Sequence, residues 1–116
     1  MAVAVINRVK NLPVTEADTL ALIRGYLKLK GFFVVRMQAG IGVHKGIPDL
    51  YFIGNDCRGE CVQGWVETKA PKGKLTSRQI EFRDEIAGRG GHFIEAHSLN
   101  DVLSYLRDHN MIREVK

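Results

Sequence analysis

The sequence predicts one layered α/β domain, and three observations predict it. Three stretches carry helical periodicity between recognisable caps, four short runs are rich in β-branched and aromatic residues, and the two kinds interleave in the order α-β-β-β-α-β-α. At 116 residues the chain is long enough for one hydrophobic core and too short for two. With 45% hydrophobic and 26% charged residues it has the composition of a globular domain, which excludes disordered and fibrous classes.

The first helix is read in "TEADTLALIRGYLKLKGFF". Thr15 and Asp18 stand at capping-box spacing, and Gly31 follows the last turn. Leu20, Ile23 and Leu27 form its apolar stripe, and one step of four back from Leu20 puts Glu16 on the same face. That acid either points toward the core side or complements the positive end of the helix dipole. "FFVVRM", 32 to 37, is a strand by composition and length. The following "QAGIGVHKGIP" is a glycine-rich loop whose spacing, with no helix behind it, does not fit a dinucleotide fingerprint.

"DLYFIG" and "CVQGWVETK" are the next strands, and the "NDCRGE" turn between them predicts an antiparallel hairpin. Alternation sets Gln63, Trp65, Glu67 and Lys69 on one face and Val62, Val66 and Thr68 on the other. Asp49, at the start of the first strand, then falls near the end of the second. "TSRQIEFRDEIAGRGG" is a second helix, with Thr76 and Gln79 at capping-box spacing and Ile80, Phe82 and Ile86 expected on its buried side. "HFIEAH" is a short strand, and "SLNDVLSYLRDHNMI" a third helix with Leu99, Val102, Leu103 and Leu106 inward.

Net charge is +4 and the isoelectric point about 9.3, which is compatible with a polyanionic partner. Lys69, Lys72, Lys74 and Arg78 fall within ten residues, either as a track for a phosphate backbone or as a solvated loop. No run is long and apolar enough for a membrane span, and "MAVAVINRVK" lacks the apolar stretch of a secretory signal, so a cytoplasmic protein is expected. Cys57 and Cys61 are read as turn cysteines; one C-x-x-x-C without a second pair is a poor zinc site, and a reducing compartment disfavours a disulfide.

An acid and a base at alternate positions of a buried-looking strand carry a desolvation cost that packing does not explain. Glu16, Asp49 and Glu67 can meet at one end of the sheet with Lys69 beside them. Oxygen donors without histidine or cysteine favour Mg2+ or Mn2+. Such an ion activates water and stabilises the charge of a phosphodiester transition state, and an adjacent ammonium shares that task.

"GIPDLYF", "WVETK" and "LTSRQIEF", in that order, resemble the PD-(D/E)xK nuclease superfamily and in particular its virus-type replication-repair (VRR-NUC) branch. Pro48-Asp49 matches the first half of the motif, Glu67-Thr68-Lys69 the second, Gln79 the glutamine on the following helix and Glu16 the acid on the first. The similarity runs from about residue 13 to about 109, nearly the whole of a single domain spanning 1–116. It implies a restriction-endonuclease-like fold with a mixed sheet flanked by helices. Asp49, Glu67 and Glu16 would hold Mg2+ or Mn2+ with the Thr68 carbonyl. Lys69 would position the attacking water, and Gln79 would organise that lysine or the water. Each match has a plainer reading alone: a turn start, an exposed strand pair, a cap partner.

Lys45, Lys72, Lys74 and Arg78 are the candidate DNA contacts. His44 is expected to be a plain loop histidine, and Trp65 either a stacking platform or an apolar wall. Small members of the branch resemble Holliday junction resolvases and act as homodimers on branched DNA, whose near two-fold symmetry suits paired sites. A DNA-binding subunit with a silent site and a nuclease for plain duplex are the rival expectations.

Overall fold

The computed structural model describes residues 15–38 and 40–113; the reading of the N-terminal "MAVAVINRVK" and the outer limits of the 1–116 domain lie outside these. Among the described residues three helices, α1 (Glu16–Leu29), α2 (Ser77–Ala87) and α3 (Leu99–Asp108), accompany four strands, β1 (Phe33–Arg36), β2 (Leu50–Asn55), β3 (Cys61–Thr68) and β4 (His92–Ala96). The chain order is the α-β-β-β-α-β-α read from the sequence. The strands form one mixed sheet in the order β1-β2-β3-β4, antiparallel except for the β3–β4 pair. That parallel pair requires a crossover, which α2 supplies. Among the described residues no helix is long and apolar enough to cross a membrane.

Local chemistry sets the boundaries. The Thr15 hydroxyl accepts from Asp18 N and the Asp18 carboxylate from Thr15 N, the reciprocal pair that opens α1. At its other end Phe32 N donates to Leu27 O and Gly31 N to Lys28 O, with Gly31 at φ +92°, so a glycine lets the chain leave the helix left-handed. Thr76 and Gln79 repeat the reciprocal cap at α2, and the Ser98 hydroxyl accepts from Asp101 N at α3.

The core lies on one face of the sheet. Val34, Leu50, Phe52, Val66, Ile94 and Ala96 point from the strands toward Ile23 and Leu27 of α1 and Val102 and Leu106 of α3, all buried. Leu20, Leu99 and Leu103, placed inward by sequence, pack at the margin of this cluster.

The opposite face is covered thinly. α2 has no buried residue, and Ile80 is 37% exposed, against the expectation that Ile80, Phe82 and Ile86 share a buried side. The reason is angular: residues two apart on a helix differ by about 200°, so Ile80 and Phe82 cannot face the same way, whereas Phe82 and Ile86 can. Phe82 meets the sheet edge-on against Trp65, with ring centroids 5.1 Å apart, and Trp65 in turn tilts against Tyr51.

Gly64 lies opposite Phe52 in the β2–β3 ladder. A Cβ there would stand 2.8 Å from both Phe52 Cζ and His92 Cβ, closer than packed atoms tolerate. Gly64→Ala is therefore expected to lower the unfolding free energy by roughly 1–3 kcal/mol, seen as a reduced urea midpoint with an unchanged slope.

Candidate metal centre and its basic surround

The β2–β3 register decides which charged groups meet. Leu50 pairs with Val66, so one further step sets Asp49 opposite Glu67 at the end of the hairpin. Asp49 Oδ2 accepts from Thr68 N at 2.8 Å, taking the place of a backbone ladder partner. Its other oxygen lies 3.8 Å from Arg36 Nη1, and the same guanidinium donates to the Met37 carbonyl at 2.5 Å. Arg36 thus braces the motif aspartate from the end of β1, a role not assigned to it from sequence.

Glu16 reaches the same point from the first turn of α1. One carboxylate oxygen each from Glu16, Asp49 and Glu67 lie within 4.8 Å of one another. The three differ in exposure, and the difference matters. Glu16 is exposed, Asp49 half-buried, and Glu67 only 3% exposed. Burial first, and then the Asp49 charge, push the Glu67 carboxyl up from 4.5 to about 8; Lys69 opposes the shift, and Glu16 adds to it. Lys69 Nζ stands 3.8 Å from Glu67 Oε2, with its side chain largely covered.

The donor set fits a hard divalent cation: three carboxylate oxygens from three separate parts of the chain, one of them buried among like charges whose repulsion a cation would relieve. The Thr68 hydroxyl, at the same strand end, is buried without a partner. Neither cysteine takes part: both are free thiols, and the described cluster that could hold an ion contains none.

The other candidates surround this centre. Gln79 Oε1 accepts from Thr76 N at 2.9 Å, so its oxygen serves the helix cap and its amide NH2 is the remaining donor. Lys45, Thr76, Arg78 and Gln79 line one groove of about 750 Å³ between the glycine loop and the start of α2. Gly46 makes that approach possible, since at φ +80° a Cβ would stand 2.4 Å from the Arg78 carbonyl oxygen. Arg78 also pairs with Glu81 at 3.4 Å. Lys72 and Lys74 are exposed on the turn that follows β3. The His44 ring packs against Phe82, and Trp65 between Tyr51 and Phe82 forms an apolar wall.

Sequence reasoning missed Glu95 and His97. Glu95 pairs with Glu67 across the parallel ladder, and His97 Nε2 lies 2.7 Å from Glu95 Oε2. The signal available was spacing: Glu95-Ala96-His97 repeats the acid-x-base pattern of Glu67-Thr68-Lys69 on the next strand.

Set against protein-family models and against curated proteins, the chain matches none.

Glu67 holds its proton in the fold across pH values where the unfolded chain has lost it. Metal-free stability from this group is therefore fully present below about 4.5 and declines as pH rises toward about 8. Glu67→Gln, which keeps a donor for Asp49 and cannot ionise, is expected to be more stable than the wild type at pH 8 in chelator, by on the order of 1–4 kcal/mol. Thermal unfolding with added Mn2+ checks the reverse: the wild type gains and the glutamine variant does not.

Proposed function

We propose that this chain is a divalent-metal-dependent DNA endonuclease of the PD-(D/E)xK kind, akin to the virus-type replication-repair branch, acting as a homodimer on branched DNA. The observation that carries the reading is the meeting of Asp49, Glu67 and Lys69 at one strand end, with Glu67 buried among acids and the Lys69 ammonium 3.8 Å from it. A carboxylate kept dry beside two others has no packing rationale and an evident one as a cation ligand.

Asp49, Glu67 and Glu16 would hold Mg2+ or Mn2+, with the Thr68 carbonyl as a further oxygen. When bound, the ion lowers the pKa of water and neutralises charge gathering on the scissile phosphate. The residues of the chain do the rest. Thr68 N and Arg36 fix the Asp49 carboxylate in orientation. The pairing of Lys69 with Glu67 at 3.8 Å keeps an ammonium donor where it can orient the attacking water and share the negative charge of the transition state. Gln79, its oxygen spent on the cap, offers NH2 donors from the start of α2. Lys45 and Arg78 in the groove, with Lys72 and Lys74 on the following turn, suit successive phosphates of a backbone.

The test is cleavage of an end-labelled four-way junction beside a duplex of matched sequence, with Mn2+, with Mg2+ and with chelator. Symmetric junction cuts that need metal, with the duplex spared, are expected. Lys69→Ala and Glu67→Ala should each lower the rate about 100-fold or more while leaving binding in chelator within a few-fold. Binding without cutting would move the function to a DNA-binding subunit, and equal cutting of both substrates to a duplex nuclease. Light scattering is expected to give twice the 13.0 kDa chain mass, and a monomer at working concentration would remove the symmetric-junction argument.

A further inference from the structure

Beside the acid–lysine pair at the end of β3 runs a second acid–base pair at the end of β4. Glu67 pairs with Glu95 and Thr68 with Ala96 in the parallel ladder, and Lys69 N donates to Ala96 O at 2.9 Å, so the two strands stay stitched past the end of β3. Paired residues of neighbouring strands project to the same face, which sets Glu95 beside Glu67 and brings His97 level with Lys69.

His97 bridges the two strand ends. Its Nδ1 lies 2.9 Å from the Ala70 carbonyl oxygen and its Nε2 2.7 Å from Glu95 Oε2. A carbonyl and a carboxylate only accept, so each ring nitrogen must carry a hydrogen to bond there. Neutral imidazole has one such hydrogen and imidazolium has two. The two acceptors therefore select the cation. The His97 backbone N–H is fixed separately, donating to Asp101 Oδ2 at 2.8 Å in the first turn of α3. The Ala70 oxygen does double service, since it also accepts from Gly73 N at 2.8 Å and so closes the turn that carries Lys72 and leads to Lys74.

We propose that His97, as an imidazolium held between Glu95 and the Ala70 carbonyl, is a positioning residue that clamps the exit of the acid–lysine strand and the basic turn behind it, making the grip on a phosphate backbone depend on its protonation. The consequence for DNA rests on the nuclease reading; the clamp does not. The charged groups acting on the ring are Glu95, two residues before it, and Asp101 on α3, and the parallel register sets Lys69 level with it on the neighbouring strand end. The bond to the Ala70 carbonyl foremost, then the bond to Glu95 and the two acids, hold the ring above its ordinary 6.5. The fold thus keeps a proton that the unfolded chain releases. The clamp is complete below 6.5 and is lost as pH rises through the raised value. His97 is 29% and Glu95 35% exposed, so water screens the pair and the effect is local rather than on global stability.

Nitrogen-15 spectra of the imidazole give the His97 titration, and amide hydrogen exchange, corrected for intrinsic pH dependence, reads Lys69 and Gly73. Both amides are expected to be protected while His97 is cationic and to exchange about three- to tenfold faster once it is neutral. His97→Gln should show the fast rate at every pH. His97→Arg, a permanent cation with several donors, should restore slow exchange without the pH dependence. Affinity for the four-way junction in chelator should follow the same order, with His97→Gln several-fold weaker and His97→Arg near wild type. Equal exchange in His97→Gln and the wild type, or a His97→Arg variant no better than glutamine, overturns the clamp. If the junction is neither bound nor cut while the exchange pattern holds, the nuclease reading fails and the clamp stands. If cutting holds and the exchange pattern is absent, the reverse follows.

Discussion

The hydrogen bond from Thr68 N to Asp49 Oδ2 ties the motif halves together, and it exists only in one strand register. That register is fixed at the far end of the hairpin. There the Asp56 carboxylate accepts from Arg58 N and Glu60 N, Asp56 N donates to Glu60 O, and Gly59 takes a positive φ of +81°. A slip by one residue would turn Val66 outward and Glu67 into the apolar core. Asx-turn chemistry at one end of β2 and β3 thus dictates whether a charged centre can exist at the other.

Much of this was legible in the chain. Capping boxes mark two helix starts because the geometry needs only a hydroxyl and an acid or amide three residues apart, and Thr15/Asp18 and Thr76/Gln79 supply it. Period-two alternation assigned Glu67 and Val66 to opposite faces, and the helical step from Leu20 carried Glu16 to the acids. What could not be read was set by partners distant in sequence. Arg36 joins Asp49 only because β1 pairs antiparallel with β2, and His97 reaches Ala70 only because β4 lies parallel to β3. Ile80 was misread for a local reason, since counting apolar residues along α2 ignored their angular positions.

The centre also illustrates a balance between fold and site. Opposed carboxylates on neighbouring strands destabilise a sheet, and burying one of them adds a desolvation penalty. The fold offsets this with cations placed on both sides, Arg36 against Asp49 and Lys69 against Glu67, and with a proton on Glu67. The surrounding apolar core, complete on the α1 and α3 face, supplies the stability that lets such a strained corner persist.

The thin cover of α2 bears on how the molecule moves. A helix with no fully buried side chain is held to the fold by Phe82 against Trp65 and by Gly46 against the Arg78 backbone, so its detachment exposes little apolar area. It belongs to the low free-energy end of native-state fluctuations, able to open while the six-pair register of β2 and β3 stays intact. Any ligand that touches both the glycine loop and the start of α2 would then select the docked arrangement from an ensemble, and part of its binding free energy would be spent on freezing that helix.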